Sequence, residues 1–320
     1  MNNSKLKSLN LGPSPNLETL SLVGCCDLEE FCMPFGCTKL KSLSLDGSDL
    51  KNLNLGPTPD LEVLSLVRCC DLEELLPFRC TKLKSLSLNN STLRNLDIGP
   101  TPDLETLSLV ECNLEAFNMP FRCPKLKSLS LNNSRLRNLD FGPTPDLETL
   151  SLVECNLEAF NMPFRCPKLK SLSLNGSKLR NLHLGLTPDL ETLSLAGCDL
   201  EELHVPFGCP KLISLSLNSP KLSNLNLGPT PDLENLNLAG CDLVELHMPF
   251  GYPKLISLIV LNNSKLRNLK LGPTPKLENL SLAGCDLEEL HVPFGFPKLK
   301  SLSLNSSGLK NFILGPTPDL

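Results

Sequence analysis

The stretch GPTPDLETLSLVECNLEAFNMPFRCPKLKSLSLNNSR, from Gly99 to Arg135, contains the unit that the whole chain repeats. The repeat begins again at Gly142, and residues 142–175 are identical to residues 99–132. A Gly-Pro-Thr/Ser-Pro marker, with a Leu variant at Gly185, recurs at intervals of 43 or 44 residues. A fixed period of this size is typical of stacked supersecondary units, each of which contacts only its neighbours.

Each long repeat divides into two coils of 21 or 22 residues that carry the same leucine pattern. The first coil reads Leu104-x-x-Leu107-x-Leu109-x-x-Cys112-x-Leu114, and the second repeats this spacing from Leu126 to Leu136. This is the leucine-rich-repeat pattern, and its Leu-x-Leu alternation predicts a strand with one buried face. A similar motif in the rear half of each coil predicts a second row of short extended segments. The sequence therefore predicts a mostly parallel β leucine-rich-repeat solenoid with extended segments on both faces and little or no helix.

We expect one array over residues 1–320, with about 14 coils in seven double repeats. Neither end carries the polar cap that solenoids normally have, which indicates a fragment of a longer protein. Two coils contain an extra residue. One follows Cys25, and the other falls in Leu258-Ile259-Val260-Leu261, where it predicts a β-bulge.

Composition and motifs exclude several classes of function. The net charge of −5 provides no basic excess for nucleic acid or anionic membrane. No stretch approaches 18 apolar residues, so we expect no membrane insertion, and the first ten residues lack the apolar run of a signal peptide. The sequence contains no phosphate-binding loop, nucleophile elbow or metal-spaced Cys/His set, so we expect no enzyme, cofactor or metal.

Most of the 15 cysteines recur at fixed repeat positions, and members of one row are two coils apart. That separation is about 9.6 Å, which is beyond disulfide reach. Without a secretory signal, we interpret the cysteines as reduced thiols packed in the turns of a cytoplasmic or nuclear protein.

Stacking turns each repeat position into a column on the surface. The residue after the first front leucine alternates between acid and base, as in Glu105, Lys127 and Glu148, and a rear column behaves similarly. We interpret these columns as structural, because a slip by one coil would bring like charges together. A phenylalanine column is predicted to form a core spine, and it contains Phe35, Phe78, Phe121, Phe164, Phe207, Phe250 and Phe294.

The columns are interrupted between residues 205 and 261, where apolar or uncharged residues replace charges and serines. Exposed apolar clusters often mark interfaces. We therefore hypothesise a partner-binding patch, with drift of the repeats as the alternative interpretation. Its candidate residues are Ile213, Asn235, Asn237, Val244, Ile256, Ile259 and Val260.

Two other surface rows have their own interpretations. Outward hydroxyls such as Thr106 and Ser108 form flat rows that could order water, so a surface- or ice-binding β-solenoid is the alternative function. Four histidines share a rear column, but three of them are two coils apart, too far to share a tetrahedral metal. We expect these to be solvent-exposed histidines; the column contains His183, His204, His247 and His291.

Two stretches carry a resemblance to a known class of proteins. LTPDLETLSLAGCDLEELHVPFGCPKL (Leu186–Leu212) and KLRNLHLGLTPDL (Lys178–Leu190) resemble the leucine-rich-repeat region of plant intracellular immune receptors of the TIR–nucleotide-binding–LRR class. This resemblance implies a recognition scaffold whose partner is a pathogen effector, a guarded host protein or another domain of the same receptor. It places recognition at the variable front positions, foremost Ile213, Asn235, Asn237, Ile256 and Ile259.

Overall fold

The computed structural model of the chain describes residues 2–33, 36–75, 80–94, 96, 99–118, 123–140, 143–161, 166–205, 209–249, 251–292, 294–305 and 308–317. These residues form short β-strands joined by turns, and no helix occurs among them. The chain divides into two compact units. Unit 1 comprises Met1–Leu157 and Pro163–Cys166, and unit 2 comprises Glu158–Met162 and Pro167–Leu320.

The strands contain two to five residues each. Those of unit 1 are β1 Ser8–Asn10, β2 Thr19–Ser21, β3 Glu30–Cys32, β4 Ser42–Ser44, β5 Asn52–Leu53, β6 Val63–Ser65, β7 Glu74–Leu75, β8 Ser85–Ser87, β9 Thr106–Ser108, β10 Ala116–Asn118, β11 Ser128–Ser130, β12 Asn138–Asp140 and β13 Thr149–Ser151. Those of unit 2 are β14 Ala159–Asn161, β15 Ser171–Ser173, β16 Asn181–His183, β17 Thr192–Ala196, β18 Glu202–His204, β19 Ser214–Asn218, β20 Asn224–Asn226, β21 Asn235–Asn237, β22 Glu245–Met248, β23 Ser257–Ile259, β24 Asn268–Leu271, β25 Asn279–Ser281, β26 Glu289–Val292, β27 Ser301–Ser303 and β28 Asn311–Leu314.

Each unit has a parallel front sheet built from the Leu-x-x-Leu-x-Leu motifs. The strand order is β2-β4-β6-β8-β9-β11-β13 in unit 1 and β15-β17-β19-β21-β23-β25-β27 in unit 2. Leucine pairs with leucine, as in Leu107 with Leu129, so one position of the repeat forms one column with a spacing of about 4.8 Å. The three motif leucines Leu104, Leu107 and Leu109 are fully buried. The predicted parallel solenoid is confirmed, and its leucines form the core.

The rear motifs form the second row of strands that the sequence predicts. Most of these strands pair in twos, namely β1 with β3, β5 with β7, β10 with β12, β14 with β16, and β18 with β20. The last four rear strands form one sheet in the order β22-β24-β26-β28. Between β20 and β22 no pairing occurs, so a strand edge is left on each side of that junction.

Buried thiols and hydroxyls alternate along two ladders at the corners of the coils. In the first, a cysteine and the serine of the preceding coil share a hydrogen bond, with distances of 3.2–3.4 Å from Ser4–Cys25 to Ser177–Cys198. In the second, threonines take the place of the serines, from Thr58–Cys80 at 3.3 Å to Thr187–Cys209 at 3.8 Å. Burial raises the pKa of the ladder thiols from Cys69 to Cys209, and that of Cys241 rises to about 11. The ladder cysteines are free thiols that pack in the turns, as predicted.

An asparagine or aspartate at the end of alternate front strands links one coil to the next. Asn132 Oδ1 accepts hydrogen bonds from Ser151 Oγ at 2.7 Å and from the Val153 amide at 2.9 Å. Asp46, Asn89 and Asn175 accept the equivalent pairs. We call this arrangement the amide bracket. It satisfies a backbone donor where the strand ends and adds a side-chain bond between coils.

The predicted charge columns are confirmed at four front pairs, which are Lys41–Glu18, Lys84–Glu62, Lys127–Glu105 and Lys300–Glu278 at 2.7–3.0 Å. The side chains of these pairs are exposed, so no charge is buried. The pairs favour the observed register because each lysine lies beside a glutamate of the neighbouring coil. The hydrogen bond and charge of Lys127 hold the pKa of the Glu105 carboxyl below its usual range.

Two sequence predictions are wrong. Phe294 is 62% exposed rather than part of a core spine, and the buried aromatic ring of this turn is Phe296, at the repeat position of Cys209. The other six members of the phenylalanine column lie outside the described residues. No bulge occurs at residues 258–261, since β23 keeps unbroken register with β21 and β25. The extra residue lies in the following turn, where the buried Asn263 side chain has no hydrogen-bond partner among the described residues.

Candidate protein-recognition surface

Ile213 and Ile256 stand in the front charge column of unit 2, where other coils carry lysine. The Glu234 amide donates to the Ile213 carbonyl at 2.9 Å, and the Ile256 amide donates to the Glu234 carbonyl at 2.8 Å. Glu234 is therefore flanked by two isoleucines rather than by two bases. Ile213 is 37% exposed and Ile256 is half-buried. Both side chains therefore lie on one accessible column of the front sheet.

The coil that contains β23 differs from the repeat at three outward positions. Ile256 replaces a lysine, Ile259 replaces a serine, and Leu261 replaces the asparagine of the amide bracket. The Gly240 amide donates to the Leu261 carbonyl at 2.8 Å, as the Glu111 amide does to the Asn132 carbonyl, so Leu261 occupies the bracket position. All three apolar side chains are half-buried and lie on one coil. Sequence reasoning missed Leu261, although alignment with Asn132 could have found it.

Asn235 and Asn237 complete this surface on the neighbouring strand. In β21, Asn235 pairs with Ser257 and Asn237 pairs with Ile259. Asn237 Oδ1 accepts a hydrogen bond from the Ala239 amide at 3.0 Å, so its side chain holds its own turn. We define the front patch as Ile213, Asn235, Asn237, Ile256, Ile259 and Leu261.

Two candidates from the sequence do not belong to the front patch. Val260 has no exposed surface and fills a core leucine position, so it cannot contact a partner. Val244 is 50% exposed but precedes the rear strand β22. The repeat places Val244 in the rear column, in line with Glu201 and Glu288, so its side chain belongs to the other face.

Val244 lines a hollow of about 570 Å³ at the rear, where β20 and β22 do not pair with each other. Its wall combines polar side chains with one buried aromatic ring, namely Asn224, Asn226, Glu245, His247 and Tyr252. Burial raises the pKa of the Tyr252 phenol. The hollow contains no acid–base pair at hydrogen-bond distance in the described part of the chain.

Three further features bear on chemistry. Among the described residues, no three His, Cys, Asp or Glu side chains are placed to hold a metal ion. His204 lies 3.3 Å from Glu202 on its own strand, in the rear column that the sequence predicts. No helix in the described residues is long and apolar enough to cross a bilayer.

The hydroxyl rows of the front sheet are partly occupied by internal hydrogen bonds. Ser65, Ser108, Ser151 and Ser194 each donate to the amide or carboxylate oxygen of a bracket residue. A row whose hydroxyls are committed to the protein presents fewer free donors to ordered water. This geometry gives no support to the ice-binding alternative.

Solved structures of two bacterial proteins share this architecture. One is YopM from Yersinia enterocolitica WA-314, with a TM-score of 0.63 and 21% identity over 95% of this chain and 68% of that one. The other is the functional domain of InlJ from Listeria monocytogenes, which includes a cysteine ladder, with a TM-score of 0.55 and 18% identity over 94% of this chain and 68% of that one. Both are leucine-rich-repeat proteins.

The fold is a leucine-rich-repeat solenoid. No family model and no curated protein sequence matches the chain. At these identities the likeness shows the fold alone, and the function has to be argued from the surface.

Proposed function

We propose that this leucine-rich-repeat chain is a protein-recognition scaffold, and that the front patch is where its partner binds. The mechanism is display. Paired strands hold the outward side chains in fixed rows, so binding orders few groups and loses little conformational entropy.

The observation that carries this proposal is the triple substitution in the coil of β23. The core does not require apolar side chains at the positions of Ile256 and Ile259, since other coils carry lysine and serine there at the surface. Replacing the bracket asparagine with Leu261 also gives up two hydrogen bonds that coils such as that of Asn132 make. Apolar side chains that weaken the fold and face outward are more simply explained by a binding role.

The finer assignment is to the ligand-sensing repeat region of an intracellular plant immune receptor. It is supported by the amino-acid sequence of residues 178–212, which resembles the repeat region of that receptor class. The partner would then be a pathogen effector, a guarded host protein or another domain of the same receptor. A reducing compartment, cytoplasm or nucleus, suits the free thiols of the two ladders.

The test uses a display library of cDNA fragments from a plant and its pathogens, selected on the intact chain. Selected clones are measured against Ile213→Lys/Ile256→Lys, which restores the lysines that other coils carry. We expect affinity to fall at least tenfold, because charges replace buried apolar contacts at the centre of the interface.

The matched control is Val244→Glu, which places on the rear column the residue that Glu201 and Glu288 already provide. Binding of the selected clones should be unchanged in this variant. Clones that bind the isoleucine variant as well as the original chain, or that are lost only with Val244→Glu, would remove the front patch from the account.

A further inference from the structure

A column of acid–lysine pairs runs beside the front charge column. It occupies the position just before the first buried leucine of each front motif. The pairs Lys82–Asp60, Lys125–Asp103, Lys211–Asp189 and Lys254–Asp232 have distances of 2.7–2.8 Å. Each pair raises the pKa of its lysine or lowers that of its aspartate through the side-chain hydrogen bond, as in Lys211 and Asp103.

The pattern breaks at Lys276, where the repeat calls for aspartate. Lys254, Lys276 and Lys298 each lie three residues before the start of a front strand, and those strands pair in register. The three residues are therefore stacked at about 4.8 Å per coil. Lys254 has Asp232, but neither Lys276 nor Lys298 has an acidic partner among the described residues, and both are exposed.

Like charges on neighbouring strands repel each other, so Lys276 and Lys298, which we call the lysine couple, are unfavourable together unless an anion neutralises them. The position of the lysine couple in the fold indicates which kind of partner supplies this anion. The Glu278 amide donates to the Ile256 carbonyl at 2.9 Å, and Lys276 lies two residues before Glu278. The lysine couple therefore borders the apolar coil of the front patch, while Glu234 lies on the other side of Ile256.

We propose that the partner's contacting segment carries a carboxylate that binds between Lys276 and Lys298, next to apolar side chains that cover Ile256, Ile259 and Leu261. The proposal rests on the proposed function and adds the chemistry of its partner, an acidic and apolar protein segment. A nucleic acid fits less well, because Asp232, Glu234 and Glu278 line the same surface and would repel a polyanion.

The experiment selects a displayed library of random 12-residue peptides on the intact chain. A synthetic copy of the best peptide is then measured by calorimetry. We expect Asp or Glu beside apolar residues in the selected peptides, and at least tenfold weaker binding to Lys276→Asp. That variant forms with Lys298 the pair that other coils already have, so folding is retained and its denaturation midpoint should not fall.

A double-mutant cycle identifies the contact. Changing the peptide's Asp or Glu to Asn or Gln should cost the same factor on the original chain and little on Lys276→Asp. The matched control is Asp103→Lys, which builds a lysine row in unit 1, outside the front patch, and should leave peptide binding unchanged. Selected peptides without acids, or equal binding to Lys276→Asp, overturn the inference.

The arms also separate this inference from the proposed function. Peptides that are lost with Ile256→Lys but are indifferent to Lys276→Asp overturn only the charge contact. Peptides indifferent to both variants overturn the front patch itself. Displacement of the peptide by single-stranded dT12 at micromolar concentration would overturn the acidic-protein partner in favour of a general polyanion site.

Discussion

Raising the pH from 8 to 10 is expected to lower the free energy of unfolding steeply, because the buried thiols of the two ladders keep their protons in the folded chain. Burial raises the pKa of the ladder thiols from Cys69 onward, led by Cys241, whose value rises from 9.0 to about 11. Above pH 9 the unfolded chain releases these protons and the folded chain retains them. Stability is therefore complete below the unfolded pKa and is lost as pH rises toward the folded value.

Each such thiol contributes at most about 1.4 kcal/mol per pH unit, and the ladders contain many. Burial of Tyr252 acts in the same direction. The measurement is urea denaturation of the reduced chain at pH 8, 9 and 10. Cys112→Ser/Cys155→Ser keeps a hydroxyl in the ladder and should flatten the dependence, whereas Cys26→Ser at an exposed thiol should not. A free energy of unfolding that stays constant between pH 8 and 10 would contradict the ladder account.

Leu261→Asn is expected to make the chain more stable and a poorer binder. Asparagine at this position restores the amide bracket, with Ser281 Oγ and the Ala283 amide as the donors that correspond to Ser151 and Val153. Two hydrogen bonds at about 0.5–1.5 kcal/mol each, less the lost apolar contact, should raise the free energy of unfolding by about 1 kcal/mol. Affinity for the selected partner should fall, because the patch loses an apolar side chain.

The reciprocal change, Asn132→Leu, supplies the control. It leaves the Ser151 and Val153 donors without their acceptor and should cost about 1–3 kcal/mol. Urea denaturation of the two variants measures both effects. If Leu261→Asn destabilises the chain, the bracket position has been wrongly assigned to Leu261, and the argument that the fold gives up stability for binding fails.

Most of the fold could be predicted from the sequence because the same leucine pattern recurs in many coils. Leucines at the positions of Leu104, Leu107 and Leu109 recur in every front motif except that of Val260, so period, strand position and burial are averaged over many copies. Registers such as Glu105 beside Lys127 follow from the same repetition, and the structure confirms them.

The failures occurred where the repeat is interrupted. A one-residue insertion near Val260 can be absorbed in the strand or in the turn, and leucine burial decided for the turn, because Val260 had to fill the core position. The predicted burial of Phe294 also failed, since its side chain is 62% exposed, whereas the buried Phe296 occupies the position that Cys209 holds in its own coil. The bracket position of Leu261 likewise depends on alignment through the irregular turn after Val260.

The central claim is that the interrupted coils of the front sheet form the recognition surface, and isoleucine methyl NMR tests it most directly. The chain has five isoleucines, of which Ile213, Ile256 and Ile259 lie in the front patch. Ile313 lies on the rear strand β28 and is 57% exposed, which makes it an internal control. On addition of the selected partner, we predict that the three patch resonances shift or broaden while that of Ile313 does not. A complex that moves Ile313 and leaves those three unchanged would contradict the account.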